Sequence, residues 1–275
     1  GRSETVLDPV TGELRRSGLI SGSTAGGAGG QVNISADRIR VADNGLIAAS
    51  TRDGRGGQVN LNTDRLEVAS DGEVAASTDG TGAGGEVTVN DDGAADGQPL
   101  VVAVDGGSIN TTASGSGDAG TIEVVAAGVT VTGAEGALAS NSTGTGKAGS
   151  ITVTAGTLTL EDQGQIAATT VDGDSDPAGP GGEGGSVTLN VGELETTGGA
   201  QVTVVTTGRG NAGDIRVQGQ GGEGTAAVRV TASGAAGTPG GTDYRPSGLV
   251  SSSSSGLNDG GQAGSITVTA DTVDL

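Results

Sequence analysis

The feature that most constrains this chain is a five-residue pattern that returns eight times. It consists of Gly, a polar or charged residue, Val or Ile, a second such residue, and Val, Ile or Leu. The copies begin at Gly30, Gly57, Gly85, Gly120, Gly149, Gly185, Gly213 and Gly264. A second block, Gly45-Leu46-Ile47-Ala48-Ala49-Ser50-Thr51, recurs as Gly72-Glu73-Val74-Ala75-Ala76-Ser77-Thr78 and Gly164-Gln165-Ile166-Ala167-Ala168-Thr169-Thr170, with a period of about 27 residues. A third, shorter block follows the five-residue pattern in most copies, as in Ile39-Arg40-Val41, Leu66-Glu67-Val68, Val129-Thr130-Val131, Leu158-Thr159-Leu160 and Val228-Arg229-Val230. Apolar residues alternate with polar or small ones in every block, which is the pattern of a strand with one buried face. No window carries a helical stripe of useful length.

Strands this short cannot bury an apolar face alone. They become stable when successive repeats stack and equivalent strands pair. The expected fold is therefore all-β: a right-handed parallel β-helix, or β-solenoid, with three short strands per coil of about 27 residues and roughly eight to nine coils. Residues 1–16 form a lead-in and 17–275 the repeat domain, with loop insertions expected near 91–99, 171–184, 218–225 and 232–246. The predicted interior columns are Val32, Val59, Val87, Ile122, Ile151, Val187, Ile215 and Ile266 from one strand, and Ile47, Val74, Leu138 and Ile166 from another. In the second set a small residue follows each time: Ala49, Ala76, Ser140 and Ala168. The Gly-rich corner between these two strands, such as Thr78 to Gly85, is expected to use its glycines for positive φ at a tight bend.

Without this periodicity the composition would describe a disordered chain. Only 54 of 275 residues are Leu, Ile or Val, 57 are Gly, and the net charge is −20. The chain has one aromatic residue, Tyr244, and no His, Cys, Met, Trp or Phe. That excludes thiolate and imidazole chemistry, Cys/His zinc sites and disulfides. Any metal must prefer oxygen ligands. Residues 1–70 hold 8 acids and 8 bases, whereas 71–275 hold 25 acids and 5 bases. Such a surface repels nucleic acid and anionic membranes, so neither is an expected partner. No apolar run approaches the roughly 18 residues of a membrane span.

Taken together, the Gly-x-Ile/Val-x-Ala/Ser-x-Thr block, the Gly-rich corner leading into Gly-x-Val/Ile-x-Val/Leu, and the short Leu-x-Val block resemble the repeat region of filamentous-haemagglutinin-like exoproteins over residues 17 to 275. The resemblance implies a right-handed β-helix on the bacterial surface or released outside. It also implies export through an outer-membrane partner in two-partner secretion, and roles in adhesion, aggregation and matrix. The family's secretion-directing N-terminal domain has no counterpart in Gly1 to Arg16, so the chain is expected to be an internal piece of the rod.

Catalysis is not expected. The Gly-x-Gly strings lack the following helix and the Lys-Ser/Thr pair of a phosphate loop. A polysaccharide lyase or hydrolase would need clustered carboxylates beside a base. The nearest approach to that is Asp214 with Arg209 and Arg216, and no catalytic residue is assigned. The best metal candidate is Asp172, Asp174 and Asp176, alternating carboxylates in a Gly-containing loop that suit Ca²⁺. Asp91, Asp92 and Asp96 form a poorer second set, and no other cofactor is expected. Thr152, Thr188 and Thr267 are expected on one outward column that could meet glycans or a cell surface. The expected function is a secreted or cell-surface rod that builds a fibre or matrix by self-association or by continuing into neighbouring repeats. The alternatives are a calcium-dependent surface-layer module and a carbohydrate-active β-helix.

Overall fold

The alternation of β-branched and polar residues gives strands throughout a computed structural model of the chain. It describes residues 6–7, 14–15, 17–23, 26–91, 99–171, 182–222, 225–237, 244–254 and 261–275. Among the described residues there is no helix, and so none long and apolar enough to cross a membrane. Two parallel sheets carry the structure. One has eight strands, from Gly18–Ile20 through Leu46–Ala48 and on to Gln201–Thr206 and Gly248–Ser253. The other has thirteen. Two small antiparallel pairs lie outside them: Val6–Leu7 with Leu14–Arg15, and Ala235–Ala236 with Arg245–Pro246.

From one repeat to the next, the chain visits the eight-stranded sheet and then the larger sheet before it returns. Every neighbouring pair within the two large sheets is parallel, and the passage through the other sheet supplies the crossover that parallel pairing requires. The five-residue pattern is in register in all eight copies: Val32 faces Val59, and the column continues through Val87, Ile122, Ile151, Val187 and Ile215 to Ile266. The spacing grows from 27 residues between Val32 and Val59 to 51 between Ile215 and Ile266, yet the ladder keeps step because no added residue interrupts its own strands. The eight-stranded sheet contributes the column Leu19, Ile47, Val74, Ile109, Leu138, Ile166, Val202 and Leu249.

The buried faces of both sheets share one aliphatic core, with Leu61, Ile109, Ile151 and Leu189 fully enclosed. Ala49, Ala76, Ser140 and Ala168 are buried one step after the large residues, so this wall of the core is thin. Burial of aliphatic area, at about 25 cal/mol per Å², stabilises a chain that has almost no aromatic residues to spend on a core.

Three details differ from the sequence reading. The five-residue pattern and the third block do not always form separate short strands. In three repeats they fuse into continuous twelve-residue strands, Thr121–Thr132, Ser150–Glu161 and Ser186–Thr197, and both blocks belong to one sheet. Small residues at the junction, such as Ala127-Gly128 and Gly156, let the backbone stay extended through it. In an earlier repeat Thr63 intervenes, and its hydroxyl bonds the carbonyls of Asp37 and Arg65 at 3.1 Å each. In the Val228-Arg229-Val230 block it is Val230 that lies opposite Leu194, so the block joins its column two residues later than its pattern suggested.

The third difference concerns glycine. Among the described residues of the Gly-rich corners only Gly26 has positive φ, at 62°. The other corner glycines answer to close stacking. A Cβ on Gly57 would overlap the carbonyl oxygen of Gly30, and the same clash repeats at Gly85, Gly120, Gly149, Gly185, Gly213 and Gly264, each against the glycine one repeat earlier. Left-handed backbone occurs instead at the opposite corner, in the pairs Asp43–Asn44, Ser70–Asp71, Asp162–Gln163 and Gly198–Gly199. There the N–H of Gly45, Gly72, Gly164 and Ala200 donates to the carbonyl three residues before it, at 2.8–3.1 Å. Two positive φ values inside such a bond are the mark of a type I′ turn.

Candidate functional surfaces

Because apolar residues point inward at period two, every strand turns its polar partners outward, and parallel stacking lines them up in rows. On the larger sheet this produces chained carboxamides. Gln31 Nε2 donates to Gln58 Oε1 at 2.9 Å, and Gln58 Nε2 donates to Glu86 at 3.1 Å. Asn60 Nδ2 donates to Asn33 Oδ1 at 2.7 Å, and Gln218 Nε2 to Asn190 Oδ1 at 2.8 Å. A carboxamide suits such a row because it donates to one neighbour while accepting from the other. Thr152, Thr188 and Thr267 do share an outward column, with Arg216 standing between the last two.

The outward face of the eight-stranded sheet holds a shallow cavity of about 330 Å³ lined by Asp71, Glu73, Ser108, Asn110, Thr112 and Glu135, among others. Its polar groups are tied to one another. Asn110 Nδ2 donates to Glu73 Oε1 at 2.9 Å, and Ser77 Oγ donates to Asn110 Oδ1 at 2.9 Å. A second depression, of about 490 Å³, follows the glycine corner where the missing side chains leave room, between Asp118, Lys147 and Asp214. Here Asp118 accepts the Lys147 backbone N–H at 2.8 Å, and the Lys147 ammonium pairs with Glu183, which raises its pKa above the usual lysine value.

The Ala235–Ala236 and Arg245–Pro246 hairpin packs near the far end of the eight-stranded sheet. Gln201 Nε2 donates to the Pro246 carbonyl at 2.8 Å, and Arg245 Nη2 donates to Gln201 Oε1 at 3.4 Å. Tyr244, at the start of this segment, is 43% exposed.

Of the residues singled out from sequence, Asp172, Asp174 and Asp176 lie outside the described residues, as do Asp92 and Asp96. Asp91 is exposed just past the strand Glu86–Asn90. Asp214 Oδ1 accepts the Ser265 N–H at 2.7 Å, so this carboxylate links one repeat to the next. Among the described residues no three acidic groups converge as metal ligands would.

The charged cluster that sequence reasoning passed over is at the first repeat. Arg38 Nη2 and Arg40 Nε donate to the two oxygens of Glu67 at 2.6 and 2.9 Å. Hydrogen bonds from Arg40 and then Arg38 hold the Glu67 carboxyl below its ordinary pKa. The signal was present in the alignment of Ile39-Arg40-Val41 with Leu66-Glu67-Val68, which stacks Arg40 on Glu67. No family model, curated protein or solved structure matches the chain.

Proposed function

We propose that the chain is a right-handed β-solenoid segment of a secreted or cell-surface rod, and that its work is structural and adhesive rather than catalytic. The observation that carries this reading is the unbroken in-register column from Val32 to Ile266, which turns every repeat into one more layer of the same stack. A right-handed course is the rule for parallel crossovers. With outward rows of Thr, Asn and Gln, the stack offers repeated hydrogen-bonding groups about 4.8 Å apart, a spacing suited to ordered or polymeric partners such as surface glycans. Export through an outer-membrane partner belongs to this proposal, and so does weak Ca²⁺ binding at Asp172, Asp174 and Asp176.

Immunogold labelling of intact cells that make the protein tests the proposal: label on extracellular filaments or matrix is expected, and label confined to the cell interior would overturn it. A second reading, a carbohydrate-active surface, draws on the carboxylates Asp71, Glu73 and Glu135 that line the cavity on the eight-stranded sheet. Its test is turnover of uronate-containing polysaccharides that is lost in Glu73→Gln.

A further inference from the structure

We infer that the outward face of the third blocks, on the larger sheet, receives a second copy of the chain whose stack runs the opposite way. The inference rests on the stacked-repeat reading above and adds to its self-association the face, the polarity and the residue pairing.

Two neighbouring outward columns carry it. One leads from Arg38 to Glu193, five layers on, by way of Arg65, Val101 and Gly128. The other leads from Arg40 to Glu195 by way of Glu67 and Thr159. Strand side chains stand out of the sheet, across the direction of stacking, so further layers at either end would lengthen these columns and leave the face open. Arg38 and Arg40, with side chains 57% and 50% exposed, share the single carboxylate of Glu67. Arg65 is exposed in the same layer as Glu67, so this part of the face is positive. Glu193 and Glu195 are exposed as well, and neither makes a side-chain hydrogen bond or ion pair among the described residues. Arg229 follows Glu193 in its column, but the neighbours of Glu195 are Thr159 and Thr231, so no cation stands beside it in its own column.

A two-fold axis along the strands, passing between the layers of Val101 and Gly128, reverses the stack and keeps the columns. It sets Arg38 on Glu193 and Arg40 on Glu195 of the second copy, and the same pairs recur at the other end, as an isologous contact requires. Shape agrees with charge at the centre, where Val101, 38% exposed, meets Gly128 of the second copy. A Cβ on Gly128 would meet only Thr157 Oγ1, at 3.3 Å, so no close contact within the chain calls for glycine there. The space it leaves is the seat for Val101 of the second copy. A two-fold axis along the stack is disfavoured, because it would lay Arg38 and Arg40 on the same arginines of the second copy. The contact is two columns wide, smaller than the roughly 1,200 Å² of a stable dimer, so the association is weak and sensitive to salt.

Sedimentation at submillimolar concentration and low salt, with two charge-reversed variants, tests the inference. The wild type is expected to dimerise, and to lose most of that association in about 0.5 M salt. Arg38→Glu/Arg40→Glu and Glu193→Arg/Glu195→Arg each set like charges against like at both ends of the contact, so each alone is expected to dimerise at least about tenfold more weakly. Mixed, the two variants carry opposite charges at every pair and are expected to form a heterodimer. A wild type that stays monomeric, or a mixture that associates no better than its components, would overturn the inference. If the Arg38→Glu/Arg40→Glu chain melts abnormally by circular dichroism, the centre of the contact gives a second measurement. Val101→Cys and Gly128→Cys chains, mixed and treated with a short bismaleimide, are expected to join to each other in clear excess over the random proportion. Random joining, or none, would count against the pairing.

Spin labels at Asn33→Cys and Thr188→Cys, in a chain with no other cysteine, separate this from the underlying reading. The two positions share one column and are five layers apart, so a distance of about 24 Å is expected at about 4.8 Å per layer. That distance in a permanently monomeric protein removes only the paired face. A far different distance removes the stack itself.

Discussion

A Cβ on Gly149 would overlap the carbonyl oxygen of Gly120, the residue directly beneath it in the stack. The strands on either side of this contact are held by the Ser150 N–H donating to the same Gly120 carbonyl at 3.2 Å. The corner can open to admit a methyl group only by lengthening the ladder that defines the fold.

Gly149→Ala is therefore expected to destabilise the protein by about 3 kcal/mol, at the upper end of overpacking costs. Gly128→Ala is the control, since a Cβ there meets only the side-chain oxygen of Thr157 at 3.3 Å, and the change should stay within about 0.5 kcal/mol. Urea denaturation compares the two, and equal midpoints would show that the corner is not close-packed.

Gln163 holds φ of 72° in the left-handed turn before Gly164, where the equivalent position in the next repeat is Gly199 at 80°. The strain of a side chain in this region, about 1–2 kcal/mol, exceeds the extra entropy that glycine loses on folding. Gln163→Gly should raise the urea midpoint by an amount equivalent to about 0.5–1 kcal/mol, and a lower midpoint would contradict the left-handed assignment.

Ser142 is fully buried, and its hydroxyl makes no hydrogen bond among the described residues, whereas Thr78 in the same column donates to the Gly54 carbonyl at 3.0 Å. Ala113 occupies the layer between them. Ser142→Ala should accordingly be neutral or stabilising by up to about 1 kcal/mol, and Thr78→Ala destabilising by about 1 kcal/mol. Thermal melts of the pair decide, and a larger loss for Ser142→Ala would point to a partner for its hydroxyl.

Glu67 is held below its ordinary pKa by hydrogen bonds from Arg40 and Arg38. A carboxylate whose folded pKa is depressed adds stability that is present above its unfolded value, near 4.3, and is lost as the pH falls through the lower folded value. NMR titration should place the Glu67 midpoint below about 4.3, and Glu67→Gln should flatten the acid limb of the stability profile in that window. A midpoint at or above the free-glutamate value would mean that the two guanidinium contacts do not persist in solution.

Much of the architecture was legible in the repeat. The eight Gly-x-Val/Ile blocks name one in-register column, of which Val32 to Ile215 lie in the core and Ile266 is exposed, and the Ile47-x-Ala49 pattern marks the thin wall. The strand Ser108–Asn110 was harder to see, because Ser-Ile-Asn keeps the period but not the Ala-Ala signature of its neighbours. The Arg38, Arg40 and Glu67 cluster needed the repeats to be laid on top of one another, since Arg40 and Glu67 lie 27 residues apart in the chain.

Sequence alone determined which residues face inward, because a strand's two faces follow from period-two alternation and a repeat that conserves this period keeps its register across insertions. Only the tertiary structure decided why the glycines are there. Positive φ is a local property that a turn pattern can suggest, but the requirement at Gly57, Gly85 or Gly149 comes from a carbonyl one full repeat away. The same holds for the fused strands Thr121–Thr132 and Ser150–Glu161 and for the left-handed turns at Ser70–Asp71 and Asp162–Gln163. Each depends on what lies in the layer above or below, and that neighbour is fixed by stacking, not by adjacency in the chain.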